Sequence, residues 1–395
     1  MNALEHIRVL DFTRVLAGPY CTMILADLGA EVIKVEIPCT GDDARQFGPF
    51  SHGESAYFMS LNRNKKSMTL NLKDLKAREL VNRMIRKCDV VAENFRPGTM
   101  EKLGLGYEDL KKINPGIIYA AASGFGHTGP YSKRAAYDGV VQAMGGIMSI
   151  TGELGGKPTR VGPSIGDISA GLFMAIGILA ALEHRNKSGE GQKVDVAMLD
   201  CQVAMLENAV ARYEISGVVP EPAGNRHTSI VPFEPIDTSD GEIMIAAGND
   251  ALFIKLCQSI GLNNLATDER FATNPLRNKN YDELRPLLSE VLVQKTSDEW
   301  MTILDQAGVP NGPINSIDKV VINEQVLARE MIVEVEHPVA GKLKMPGIPI
   351  KLSGTPGSIR MPSPILGQHT VDILKDLLDL TDKEIEELKV ERVIS

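Results

Sequence analysis

Ile7-Arg-Val-Leu-Asp-Phe12 and Glu31-Val-Ile-Lys-Val-Glu36 are short β-branched runs, and the stretch between them takes up helical spacing from about Pro19. The rhythm returns at Ser67 to Leu72, at a helical Asp74 to Lys87, at Asp89-Val-Val-Ala-Glu93 and at Gly116-Ile-Ile-Tyr-Ala-Ala121. Strands separated by helices at this spacing predict an α/β fold, a parallel sheet with helices on both faces. Beyond it the pattern predicts a helix over Asp167 to Arg185, a strand at Gln192 to Ala197 and a helix from Leu199 to about Ser216.

The Gly-, Pro- and polar-rich segment from Gly217 to Pro235 marks a boundary. We therefore expect a large domain over 1–216 and a smaller α+β domain over 217–330, opened by a hairpin at Phe233 to Asp237, Asp240-Gly241 and Glu242 to Ala247. Prolines and glycines recur from Pro338 to Pro364, and a charged helix pair follows from about Thr370. A long segment of that kind usually wraps over something, so 331–395 is expected to return to the large domain as a linker and C-terminal helices.

With 43% hydrophobic and 24% charged residues over 395, the composition is that of a globular chain able to bury two cores. Net charge of −9 argues against nucleic acid and anionic membrane as partners. Ile168 to Leu182 is too short an apolar run to span a bilayer and reads as a buried core helix. The opening residues show no export pattern, so a cytoplasmic protein is expected. Cys21, Cys39, Cys88, Cys201 and Cys257 are scattered, without metal or redox spacing, and the histidines form no ligand motif.

The first strand runs into Asp11-Phe-Thr-Arg-Val-Leu-Ala-Gly-Pro19 with neither GxGxxG nor a P-loop, so a dinucleotide cradle is missing. Backbone near Leu16 and Ala17 should instead face a ligand at the strand ends. Lys65, Lys66, Lys73, Arg96, Lys102, Lys133 and Arg134 cluster near predicted strand ends and turns, where a polyanion could be held against the overall negative charge. Asn94-Phe-Arg-Pro-Gly98 could offer amides and an aromatic ring to a phosphate- or purine-bearing ligand. Gly162-Pro-Ser-Ile-Gly166 matches a nucleophile elbow, yet only Thr159-Arg-Val161 precedes it and no oxyanion motif lies upstream. Asp167 follows, at the start of the apolar helix. It reads as an N-cap or, since a helix start keeps a carboxylate ionised and offers amides to an oxyanion, as a carboxylate nucleophile toward a thioester.

Several spaced motifs then carry a resemblance. Leu10-Asp-Phe-Thr13, Ala17-Gly-Pro19, Gly29 to Glu36, Asn94 to Gly98, Ser123-Gly-Phe-Gly-His-Thr-Gly-Pro130, Tyr137-Asp138, Gly166-Asp167, Gly189 to Gln192, Gly224-Asn-Arg-His227 and Leu366 to Thr370 together resemble the family III CoA-transferases. The resemblance implies a Rossmann-like large domain, an interlocked homodimer, and acyl-CoA as a substrate with no covalently bound cofactor. It also implies transfer of CoA from acetyl-, formyl- or succinyl-CoA to oxalate or another small dicarboxylate through an aspartyl-CoA thioester. The family's catalytic aspartate falls on Asp167, and its CoA contacts on Leu16, Ala17, Leu70, Asn71, Leu72, Lys73, Asn94, Phe95, Arg96, Lys102, Arg134 and Tyr137. Ile37 stands where oxalate-specific formyl-CoA transferases tend to carry an arginine, and their glycine-rich loop is not seen between Leu206 and Ile245. The rivals are a 2-methylacyl-CoA racemase of the same fold, whose histidine position holds Tyr137 here, and a serine hydrolase using Ser164.

Overall fold

Successive residues of a strand point to opposite faces of its sheet, and this alternation builds two cores. In β1 (Arg8–Asp11) Leu10 enters one core and Val9 the other; in β2 (Glu31–Glu36) Ile33 and Val35 oppose Val32. The computed structural model describes residues 2–395. Its main sheet continues with β3 (Lys65–Thr69), β4 (Val90–Glu93), β5 (Ile118–Ser123) and β6 (Lys193–Ala197). All pairings are parallel, in the order β3-β2-β1-β4-β5-β6, the doubly wound order whose direction reverses between β1 and β4.

The helices cover both faces. On one side Leu80, Val81 and Met84 of α2 (Leu75–Ile85) pack with Ile373, Leu374 and Leu377 of the helix Thr370–Leu378 against Leu10, Ile33 and Val91. On the other, Cys21, Leu25 and Ala26 of α1 (Ala17–Asp27) join Met174, Ile178 and Leu182 of α4 (Ile165–Ser188), over Val9, Val90 and Ala120. A further helix, α3 (Asp138–Met144), lies between β5 and α4 in the chain. Each large aliphatic side chain removed from water contributes about 1.5–3 kcal/mol, which sets the scale of what holds the layers together.

The chain divides into two compact units: 1–148, 160–216 and 325–395 form one, 149–159 and 217–324 the other. The second carries a three-stranded antiparallel sheet in which Glu242–Ala246 lies between Asn311–Pro313 and Phe233–Asp237. Its core gathers Ile236, Ile243, Phe253, Leu284 and Trp300, and the indole N–H of Trp300 donates to Leu292 O at 2.7 Å.

Some local expectations are corrected. β3 begins at Lys65, ahead of the expected Ser67, so two lysines enter the sheet. The helix expected from Leu199 to Ser216 is broken around Glu207, whose φ is 55°, into Met198–Ala204 and Ala209–Ser216. The apolar helix is longer than expected and not wholly buried: Leu172, Phe173, Ile176 and Leu179 of α4 are exposed along one face.

Candidate active site

Two glycines allow the start of α4 to sit where it does. A Cβ on Gly171 would lie 2.7 Å from Ala17 O, and one on Gly166 would lie 2.7 Å from Val141 Cγ2. Without side chains there, α4 settles directly onto α1 and α3. Asp138, in the first turn of α3, then accepts from Gly166 N at 2.8 Å and from Gln142 Nε2 at 2.8 Å, and Gln142 Oε1 accepts from Val161 N at 2.8 Å. This frame fixes the backbone on either side of residues 162–165 and so aims Asp167, the residue after Gly166.

The start of α1 is held from the other direction. Val15 adopts φ 64°, costly for a β-branched residue, and its N–H donates to Asp42 Oδ1 at 3.0 Å. Asn94 clamps Arg14 through both backbone groups, accepting from its N at 2.7 Å and donating to its O at 2.8 Å. Neither Leu16 nor Ser164, the N-caps of α1 and α4, closes its helix with a side chain. At α1 the N–H groups of Ala17 and Gly18 have no acceptor among the described residues and suit an anionic oxygen, whereas at α4 Ile165 N and Gly166 N are taken by Pro163 O and Asp138 Oδ1, which leaves Asp167 N.

Two cavities open at the C-terminal ends of the strands, around the β1–β4 switch point, where ligands bind in open α/β sheets. One, about 520 Å³, is lined by Leu16, Ala17, Asn94, Phe95, Arg96, Ser123, Arg134, Tyr137 and Asp167. The other, about 560 Å³, is lined by Phe12, Ile37, Leu70, Asn71, Leu72, Lys73, Phe95, Lys102 and Leu103. Arg14, Phe95 and Thr99 belong to both, so Phe95 stands where the two cavities meet. Asp167 and the residues expected to contact CoA are thus distributed over two adjoining hollows, one with arginines beside a carboxylate, the other apolar with lysines among its lining residues. A third hollow of about 510 Å³, beside Glu334, Lys351 and Arg360, contains none of them.

Two of the expected basic residues are not available to a ligand. Lys65 is buried, 3.3 Å from Asp11 and donating to Pro19 O and Asn62 Oδ1, and Lys66 pairs with Glu31 at 2.7 Å. Their side chains complete ion pairs of the sheet because β3 starts earlier than its β-branched content suggests. Residues that the sequence reading left without a role also belong here. Arg14 lines both cavities and lies over the Phe95 ring at 5.5 Å, inside a segment already singled out for its backbone. Tyr57 carried no local signal; burial, then the charges of Asp167, Asp42 and Asp138, push its phenol up to about 12.

Asp167 is not the N-cap but lies in the first turn, since α4 begins at Ile165. The expectation that the helix start keeps it readily ionised is also corrected. Burial and then the neighbouring Asp138 push its carboxyl up to about 7. Low dielectric and a like charge outweigh the dipole. The resulting carboxylate is more basic than an ordinary one and lacks a side-chain hydrogen-bond partner among the described residues.

Neither rival gains a site. No strand leads into Ser164, which the elbow geometry requires. His127 lies outside the Asp167 cavity, with Nδ1 2.8 Å from Lys193 Nζ and Nε2 3.7 Å from Glu93 Oε1. Burial, then the Lys193 charge, lower its pKa.

Comparison with known proteins identifies the family and matches the fold. The sequence profile of CoA-transferase family III matches residues 4–370. The succinyl-CoA:glutarate CoA-transferase of Mus musculus is 44% identical over 395 residues, covering 100% of this chain and 91% of its own. The acetyl-CoA:oxalate CoA-transferase of Acetobacter aceti is 45% identical over 351 residues, 89% of each chain. Among solved structures, a CaiB/BaiF family protein from Brucella suis superposes with a TM-score of 0.85 at 42% identity, covering 95% of this chain and 100% of that one. A whole-chain profile match, relatives of this identity and the shared doubly wound architecture establish that the chain belongs to CoA-transferase family III and is an enzyme that transfers CoA, with acyl-CoA as its substrate.

Proposed function

We propose that this enzyme moves CoA between small acids, with a dicarboxylate as acceptor, through covalent intermediates on Asp167. The observation that carries the reading is a carboxylate with a raised pKa, lining with the uncapped start of α1 a cavity that adjoins a second, lysine-bearing one. The names of the relatives point to the acids: succinyl-CoA with glutarate for the mouse protein, acetyl-CoA with oxalate for the bacterial one.

In this reading the apolar cavity takes the adenine between Ile37, Leu72 and Phe95, and Lys73, Lys102, Arg14 and Arg96 meet the phosphates. Binding energy gathered there, remote from the reacting carbon, positions the thioester over Asp167. The Asp167 carboxylate attacks the thioester carbonyl, the C–S bond breaks, and CoA leaves as thiolate from a mixed anhydride. The thiolate attacks the Asp167 carbonyl and expels the donor acid, leaving an aspartyl-CoA thioester. The acceptor carboxylate attacks that thioester to form a second anhydride and free the thiolate again. Attack of the thiolate on the acceptor's carbonyl then makes the new acyl-CoA and restores the Asp167 carboxylate. The Ala17 and Gly18 N–H groups at the start of α1 donate to each carbonyl oxygen as negative charge develops on it.

The exposed apolar face of α4 supports the further reading that the chain works as a homodimer, and the family resemblance supports interlocking of the two chains. Four of the five cysteines are buried thiols, compatible with a reducing cytoplasm. The reading is tested by incubating the protein with succinyl-, acetyl- or formyl-CoA against a panel of mono- and dicarboxylates and following acyl-CoA products by mass. New dicarboxylate half-thioesters are expected; hydrolysis alone, or α-hydrogen exchange without transfer, would refute it.

A further inference from the structure

The hydrogen-bonded frame behind Asp167 also holds a cation. Val161 N donates to Gln142 Oε1 at 2.8 Å, which pins the backbone immediately after Arg160, and Gln142 in turn binds Asp138. Arg160 Nη2 donates to Gly162 O at 3.0 Å and stands 3.6 Å from Asp138 Oδ2. That separation exceeds the roughly 2.8 Å of a charge-assisted hydrogen bond, and this Asp138 oxygen is already occupied by Gln142. The guanidinium offers five N–H donors, makes no other hydrogen bond among the described residues, and leaves its side chain 52% exposed. Arg160 lies outside the lining of the Asp167 cavity and reaches this corner from the Asp138 side; of the arginines within that lining, Arg96 is placed with the CoA phosphates above and two others have partners of their own. Arg14 pairs with Asp43 at 3.3 Å, and Arg134 lies over the Tyr131 ring at 4.6 Å and the Phe125 ring at 5.5 Å.

We propose that Arg160 receives the distal carboxylate of a dicarboxylic substrate while the other carboxyl group is exchanged at Asp167; this deepens the reading above and rests on it. A dianion entering a corner that already holds Asp138 and Asp167, in a protein of net charge −9, meets repulsion that a monoanion meets less. A planar guanidinium with unoccupied donors offsets that repulsion and fits a carboxylate with two parallel bonds. A monocarboxylic acid of the same length presents nothing to it. Arg160 is thereby a specificity residue for the dicarboxylate rather than part of the CoA site.

The test compares glutarate with valerate, acids of equal carbon count, as acceptors from a fixed succinyl-CoA donor. In Arg160→Met, kcat/KM for glutarate should fall about 30-fold, mainly through KM, while valerate should fall less than about 3-fold, the factors that loss of a charged hydrogen-bond pair gives. Arg160→Lys should recover part of the glutarate activity and serves as the folded comparison if the Met variant melts early. Arg134→Met should lower both acceptors together. An equal loss for both acids in Arg160→Met, no loss for either, or a glutarate-selective loss at Arg134 would overturn the assignment. If the wild-type kcat/KM for valerate equals that for glutarate, the inference alone fails; if the enzyme transfers CoA to neither, the reading it rests on fails with it.

Discussion

Beneath the ends of β1 and β2, Asp11, Asp42 and Glu36 are each met by a cation, the buried Lys65 at 3.3 Å, the buried Lys34 at 2.8 Å and the half-buried Arg45 at 2.7 Å. At the starts of α3 and α4, Asp138 and Asp167 instead share a corner in which the nearest ion pair is the 3.6 Å contact of Arg160. Burial raises carboxyl pKa values in both regions. In the first it is outweighed by the paired cations and hydrogen bonds, and Asp11, Asp42 and Glu36 are held below their ordinary values. In the second it is reinforced by a like charge, and Asp167 rises to about 7. Matched charges hold the strand ends in place, whereas the unmatched carboxylate is the one poised to react.

The contrast is broken most severely by removing the unmatched carboxylate. Asp167→Asn should reduce CoA transfer at least about a thousandfold, as loss of a nucleophile does. It should also stabilise the protein at pH 8. An acid whose folded pKa lies above its unfolded value opposes folding when ionised, so stability falls as pH rises from 3.8 toward 7 and the deficit is full above that. Relief of the order of 2 kcal/mol is expected in a thermal melt at pH 8, fading toward pH 4.

Breaking the matched region should have the opposite profile. Lys65→Met leaves the buried Asp11 carboxylate with only its Thr13 and Thr22 hydrogen bonds and the charge of Lys34, and should cost about 3 kcal/mol of stability in denaturant titrations. Folded molecules of this variant should retain most of their transferase activity. In the wild type, the depressed pKa values of Asp11, Asp42 and Glu36 contribute stability that is present above 3.8 to 4.5 and lost as pH falls through the lower folded values.

The smallest effect sharpens the account at the unmatched corner. The pH profile of kcat/KM should show an acid limb near 7, with activity lost below it as Asp167 takes up a proton. Asp138→Asn removes the like charge and retains an acceptor for Gly166 N. It should move that limb down by no more than about one unit, because burial is the larger cause.

These differences explain what the sequence could reveal. The alternation at Val9/Leu10 and Val32/Ile33 is local, and it disclosed the sheet and both its faces. Asp167 was legible through its motif and the helix that follows, and the cavity residues named in advance came from the family resemblance, whereas Arg14, which lines both cavities, was passed over. The partnerships were not. Lys65 looks like any surface lysine, and only its pairing with Asp11, far away in the chain, removes it from the ligand's reach. The link from Asp138 to Gly166 spans 28 positions, and the raised pKa of Asp167 depends on it and on burial that no local periodicity encodes. Arg160 likewise acquires meaning only when Gln142 brings its segment beside Asp138.

The central claim, that the acyl group and then CoA are carried on Asp167, is tested most directly by trapping. The enzyme is mixed with succinyl-CoA without an acceptor, quenched with hydroxylamine, digested with trypsin and mapped by mass. An anhydride or thioester is readily converted to a hydroxamate, so the peptide from Val161 to Arg185 should carry that modification on Asp167 and lose it in Asp167→Asn. An acyl group on Ser164, or exchange of the substrate's α-hydrogen with solvent deuterium and no adduct at all, would contradict the account.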